Sequence, residues 1–314
     1  MTQPPYTETP LPLTIEQLWV YPIKSCAGVR LAQAELLPTG LLWDRTWMVV
    51  DQRGEFLSQR ELPRLALVRP RFRLGQLELQ APGMLSLHLA LDAAEAPCRV
   101  RVWDDELDAY DMGDVAAQWF SDFLLADRPQ LGLRLRLVRF DPDCVRPSDV
   151  RWTGGIQAPN TFSDGYPLLL LSAAALDELN QRRRLLGQEA LGVERFRPNL
   201  LLGSLEAHDE DRLAELRFPV ATRAGVGTAS ATSSETAEVW LQPVKPCARC
   251  SIPDVDSATG IEQGDAVSSL LHSYRQDRRL LGAVTFGMNA IVRQGAGLTL
   301  HEGMPGYGRW GAWQ

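Results

Sequence analysis

The sequence predicts an α+β, mostly-β protein of two domains: a β-barrel-like unit first, then a mixed β-unit with a few helices. Three observations carry that reading. Apolar and polar residues alternate with a period of two through much of the first half, a helical period intrudes only in short stretches, and residues 141–160 are dense in Pro, Asp and Gly. The 314 residues suffice for two domains of roughly 100 to 200 residues each. We place them at 13–140 and 141–303.

Taken in order, residues 47–51 and 55–60 flank Gln52-Arg53-Gly54 as one hairpin, and 71–74 and 77–80 flank Gly75-Gln76 as another. Leu85, Leu87, Leu89 and Leu91 alternate as a strand, and 99–103 forms a further one. The pattern turns helical over 114–125, with Val115, Trp119, Phe120 and Phe123 on one face behind an Asp114 cap. Residues 134–140 return to strand, so a barrel or a sandwich with one helix fits this half. In the second half the pattern gives a strand at 166–171, a helix at 172–186 stopped by Gly187, and strands at 200–202 and 238–241. A helix at 267–279 and strands at 285–293 and 298–301 follow. Between them, residues 221–236 are small and polar, the composition of a flexible insertion.

Composition narrows the function classes. A net charge of −7 makes the surface repel nucleic acid and anionic membrane. The longest apolar stretch, 168–176 broken by Ser172, falls far short of the roughly 20 residues of a spanning helix. The first residues lack the charged and apolar regions of a secretory signal, and five cysteines are an odd number that favours a reducing compartment. These features predict a soluble, cytoplasmic protein with no membrane or nucleic-acid partner.

Lysine occurs only at Lys24 and Lys245, so 30 of the 32 basic residues are arginine. Both lysines sit beside cysteines, in Lys24-Ser25-Cys26 and Lys245-Pro246-Cys247-Ala248-Arg249-Cys250. Two readings stand: codon bias with two accidental survivors, or a compact ammonium that does there what a planar guanidinium does not. The Cys247-x-x-Cys250 pair admits four readings: structural zinc, a dithiol redox pair, two inert thiols, or one thiolate ligand to a soft metal. Zinc lacks a second cysteine pair or close histidines, and the redox reading lacks a helix opening at the motif.

A second constellation consists of turns bearing cations and free amides: Lys24-Ser25, Asp44-Arg45 and Phe196-Arg197-Pro198-Asn199. Such groups converge on an anion such as phosphate. The turn Phe162-Ser163-Asp164-Gly165-Tyr166-Pro167 adds hydroxyl and backbone donors. Rossmann, P-loop, serine-hydrolase and zincin signatures are missing.

Taken together, Tyr21-Pro22-Ile23-Lys24-Ser25-Cys26, Asp44-Arg45, Phe196-Arg197-Pro198-Asn199 and the Lys245–Cys250 motif resemble the MOSC family with its N-terminal β-barrel domain, in its YcbX-type and amidoxime-reducing branches. The resemblance implies a mixed β-barrel MOSC domain, a molybdenum cofactor (molybdenum on molybdopterin) held between the domains, and reduction of N-hydroxylated compounds. It implies Cys250 as the catalytic thiolate on molybdenum. Lys24, Ser25, Arg45 and Arg197 match positions that hold the pterin and its phosphate. Ser163, Asp164, Gly165 and Tyr166 match the loop that closes on it, Ala248 and Arg249 lend backbone contacts, and Asn289 lies on the cofactor side. The chain ends without a ferredoxin-like segment, so a separate flavin, haem or iron–sulfur protein is expected to supply electrons. Two other readings stay open: a cofactor or sulfur carrier acting through Cys250, and pyridoxal phosphate binding through Lys24 or Lys245. Asp254 and Asp256 follow the motif as candidate proton donors or turn caps.

Overall fold

The computed structural model describes residues 10–220 and 237–311, so the segment expected as a flexible insertion, 221–236, lies outside the described residues. At the centre is a closed barrel of seven strands. Around the barrel run Leu168–Ser172, Leu200–Gly203, Leu11–Val20, Pro305–Trp310, Leu213–Val220, Ala237–Ala248 and Ala283–Gln294, the last pairing back onto the first. Leu168–Ser172 and Leu200–Gly203 pair in parallel, and the other staves are antiparallel, so the barrel is mixed. The predicted mostly-β α+β class holds.

The interior is filled by aliphatic side chains from every wall, among them Ile15, Leu18, Leu170, Leu202, Leu216, Phe218, Leu241 and Ala290. Along Leu11–Val20 the inward set is Leu13, Ile15, Leu18 and Val20, which slips phase once. The slip coincides with a register shift between Ile15 and Gln17, a bulge that returns the apolar residues to the inner face. The stave Pro305–Trp310 reads as a turn from its Pro and Gly, yet it closes the barrel. A Cβ on Gly306 would lie 2.5 Å from Phe218 Cδ1, and one on Gly308 would lie 2.8 Å from Leu213 Cδ2. Glycine at these positions lets the stave approach its neighbours.

Two smaller sheets build the rest of the first half. One has the order Trp47–Val50, Arg136–Phe140, Asp105–Asp111, Ala96–Val102; the other is Arg69–Arg73, Gln76–Gln80, Leu87–Ala90. Helix α1 (Gly113–Leu124) packs Trp119, Phe120 and Phe123 into a core shared with Trp47, Leu77, Leu79 and Leu137. In the second half, α2 (Val150–Thr153) is a single turn, whereas α3 (Ala173–Leu185) and α4 (Ala266–His272) cover the barrel exterior through Ala175, Leu179, Leu201, Leu271 and Phe286. Ser172 Oγ accepts from Ala175 N at 3.3 Å, capping α3.

Several local expectations change. Arg73 pairs with Gln76, so the second hairpin turns at Leu74-Gly75, both with positive φ, rather than at Gly75-Gln76. Residues 55–60 form no strand; Val50 and Phe56 make one isolated bridge. Asp114 lies inside the first turn of α1 and pairs with Arg136 instead of capping, and Val115 is 75% exposed while Ala116 takes the inward position. The run 141–160 is more than a connection, since Arg146–Pro147 pairs with Pro159–Asn160 around α2. The barrel draws Leu11–Val20 and Pro305–Trp310 from outside residues 141–303, so its walls do not follow a single cut along the sequence.

Candidate cofactor and active site

One cavity of about 610 Å³ opens where the ends of several staves meet the smaller sheets. Its wall contains the twelve residues that the family resemblance assigns to the cofactor: Lys24, Ser25, Arg45, Ser163, Asp164, Gly165, Tyr166, Arg197, Ala248, Arg249, Cys250 and Asn289. The volume suits a cofactor or a drug-sized ligand.

Backbone strain marks the wall. Among the described residues nine non-glycine residues have positive φ, and four of them line this cavity: Ser25 (67°), Arg45 (47°), Trp103 (57°) and Arg197 (59°). Such conformations persist where the surroundings enforce them, and they concentrate at functional sites.

The cationic floor is organised by Tyr21, a fully buried ring. The guanidinium carbons of Arg45 and Arg197 lie 4.4 and 4.2 Å from its centroid. Asp44 neutralises Arg45 at 2.5 Å and accepts from Tyr21 N at 2.7 Å, which fixes the strand-to-turn corner. Arg45 Nη2 donates to the Arg197 carbonyl at 3.0 Å, and Arg197 Nη1 donates to the Cys26 carbonyl at 2.5 Å. Arg197 thus faces the cavity with a carbonyl but no carboxylate as partner. Burial and the neighbouring Arg45 pull its guanidinium down to about 10. Two adjacent guanidiniums with one carboxylate between them leave a positive surplus suited to an anion.

Lys24 is buried, and its Nζ donates to the Phe162 carbonyl at 2.9 Å and to Asp164 at 2.5 Å. Burial lowers its pKa and Asp164 offsets part of that effect. The ammonium therefore ties the 162–166 turn to the floor. Arg146, which sequence reasoning missed, braces the same turn from behind. It is buried, pairs with Asp105 at 2.7 Å, and donates to Asn160 Oδ1, the Thr161 carbonyl and the Ser163 carbonyl. A buried arginine cannot be told from twenty-nine others by pattern; only its partners reveal it. Tyr166 Oη has no hydrogen-bond partner although it is buried in the wall. Burial, then the charge of Asp149, pushes this phenol above its usual range, so it stays a donor.

The thiol end lies on the Ala237–Ala248 strand and the turn after it. Cys250 is exposed, whereas Cys247 is half-buried with Arg249 Nη1 3.1 Å from its sulfur. Arg249 also donates to the Phe196 carbonyl at 3.1 Å, tying this turn to the Arg197 turn. Among the described residues, no group of three or more His, Cys, Asp or Glu is placed to hold a metal ion. Asn289 faces Leu169 and Lys245 across two strand pairings. Asn199 belongs to the framework, accepting from Leu169 N at 3.0 Å and donating to the Trp19 carbonyl at 3.1 Å.

The aspartates after the motif are structural. Asp254 is buried and accepts from Val267 N, Ser268 N and Ser268 Oγ, capping α4. Asp256 accepts from Ala258 N and Thr259 N within its own turn. Neither lines the cavity.

A cationic cavity set between a mixed barrel and an N-terminal β-unit, with a cysteine motif at its edge, defines a class. The family model for the MOSC N-terminal beta barrel domain matches residues 12–127 and that for the MOSC domain matches residues 157–299; the chain belongs to the MOSC family. Mitochondrial amidoxime-reducing component 1 of Homo sapiens is 31% identical over 307 residues, covering 94% of this chain and 82% of that protein. The Mus musculus component 1 is 31% identical over 271 residues (83% and 71% covered), and component 2 of Rattus norvegicus is 31% identical over 272 residues (83% and 72% covered). No helix among the described residues is long and apolar enough to cross a membrane.

Proposed function

We propose that this chain is a molybdenum-cofactor reductase of N-hydroxylated compounds. The observation that carries the reading is one cavity joining an exposed cysteine to a cationic floor with an uncompensated arginine. The residues fit a metal–pterin group: one cavity carries a soft sulfur donor together with fixed cations and amides for a phosphate. Cys250 supplies the thiolate ligand. Arg45, Arg197 and Ser25 would hold the phosphate, and Lys24, which ties the Ser163-Asp164-Gly165-Tyr166 turn in place, would keep that turn against the pterin. Ala248 and Arg249 contribute backbone contacts, and Asn289 a side-chain contact. The bound group supplies redox chemistry at a sulfur-ligated metal.

Overall, the N–O bond breaks, N–H and water form, and two electrons and two protons are consumed. A separate flavin, haem or iron–sulfur protein delivers the electrons. Three relatives, each named an amidoxime-reducing component, support the substrate class. The test is reduction of a panel of amidoximes and hydroxylamines by molybdenum-loaded protein with a chemical reductant; loaded protein inactive on every member contradicts the reading.

A second reading, sulfur transfer, rests on the exposure of Cys250 beside the Arg249-contacted Cys247. A persulfide trapped on Cys250, in protein whose function is indifferent to metal content, would favour it. Pyridoxal phosphate binding through Lys24 or Lys245 gains no support: Lys24 Nζ is held by two oxygen acceptors, and Lys245 Nζ lies 5.4 and 5.8 Å from the Trp152 and Tyr166 ring centroids.

A further inference from the structure

In the wall of the same cavity stands a hairpin turn that folding alone does not explain. The strands Ala96–Val102 and Asp105–Asp111 pair Val102 with Asp105, leaving Trp103-Asp104 as a two-residue turn. Trp103 takes the first turn position with φ 57°, where glycine is the favoured residue. Yet the chain places there its bulkiest side chain, 45% exposed. The hairpin at Leu74-Gly75 shows that an exposed residue with positive φ need not mean function, because Leu74 is 92% exposed and lines no described cavity. Trp103 differs: it lines the cavity and packs edge-on against Phe56, centroids 4.9 Å apart, with the Arg60 guanidinium 4.8 Å from its ring. The turn thus holds an aromatic wall in place at an energetic cost to the backbone.

The acids on that wall differ in one respect. Asp105 pairs with Arg146, Asp149 with Arg151 and Asp164 with Lys24. Asp104 has no ion pair or hydrogen bond among the described residues, and it is exposed beside Trp103.

We propose that the Trp103-Asp104 turn selects the substrate: Trp103 stacks a planar aromatic substituent, and Asp104 disfavours compounds carrying a negative charge. This rests on the reductase reading for the reaction but not for the binding. A flat ring meets the exposed indole and the Phe56 edge, an arrangement that favours aryl over alkyl groups of equal size. The free carboxylate repels an aryl carboxylate and attracts an aryl cation.

The experiment is calorimetric titration of the molybdenum-loaded protein with a phenyl-bearing amidoxime and a straight-chain alkyl amidoxime of matched atom count, alongside KM for each. Trp103→Gly suits the backbone of the turn and removes only the ring, so the fold is kept. We expect it to weaken the phenyl probe about five- to tenfold in Kd and KM while the alkyl probe changes less than twofold. Trp103→Phe restores most of the preference. Asp104→Asn narrows the discrimination between para-amino-methyl and para-carboxyl phenyl probes by about two- to fivefold, more at low salt. Equal weakening of both probes, or wild-type protein with no phenyl preference, overturns the proposal. Selective binding without turnover leaves the subsite standing and removes the reductase reading instead.

Discussion

The barrel interior and the cavity are built from the same staves, and they solve opposite problems. Inside the barrel the Ala237–Ala248 strand buries Val239 and Leu241 among aliphatic neighbours; a few residues on, the same strand delivers Lys245 and Cys247 to the cavity wall. None of the positive-φ non-glycine residues lies in a barrel stave, whereas four line the cavity. The apolar core lies along the wound part of each strand, and the proposed site lies where the strand runs out and the backbone is bent against its preferences. The difference teaches that damage to the two regions separates cleanly into lost folding and lost binding.

The largest effect should come from the interior. Phe218→Ala, at a fully buried ring against Gly306, is expected to lower unfolding free energy by about 3–5 kcal/mol in denaturant titration. In the cavity, Arg197→Met should leave stability unchanged or raise it, because it relieves the repulsion with Arg45, while cutting pterin content at least tenfold by fluorescence of the oxidised cofactor. If Arg197→Met instead unfolds the protein as Phe218→Ala does, the division between regions fails.

A third region sharpens the contrast, because it is buried and polar without lining the cavity. Glu210 is fully buried, and burial, followed by the charge of Asp211, pushes its carboxyl up to about 7, with Ser172 partly opposing. A carboxyl raised above its unfolded value stabilises the fold fully below about pH 4.5 and loses that contribution as pH climbs through about 7. Glu210→Gln should therefore match wild type in acid and be more stable by about 2–3 kcal/mol above neutrality, read as Tm against pH. A wild-type and variant gap that is flat with pH contradicts this. The smallest effect is at Leu74, strained outside the cavity; Leu74→Asn, giving an Asn-Gly turn, should stabilise by about 0.5–1 kcal/mol and leave cofactor content untouched.

Much of this was legible in the sequence, for identifiable reasons. Period-two patterning marks strands whose one face is buried, and the two lysines beside cysteines, Lys24 and Lys245, both line the cavity. What escaped was what depends on partners distant in sequence. The stave Leu11–Val20 hides its alternation behind a bulge, and Pro305–Trp310 looks like a turn until the approach of Phe218 and Leu213 explains its glycines. Arg146 was one arginine among many until Asp105, Asn160 and Thr161 were found around it. The pattern draws the helical face of α1 through Val115 rather than Ala116 because the larger apolar side chain outweighs the small one, and packing reverses that order.

The central claim is that this cavity holds a molybdenum–pterin group through Cys250. The most direct measurement is molybdenum and pterin content, by elemental analysis and fluorescence, of wild type and Cys250→Ala expressed in a cofactor-producing host. Near-stoichiometric metal and pterin in wild type, with the metal lost from Cys250→Ala while its Tm is retained, is the result the account predicts. Wild type carrying neither, or Cys250→Ala keeping its molybdenum in full, would contradict it.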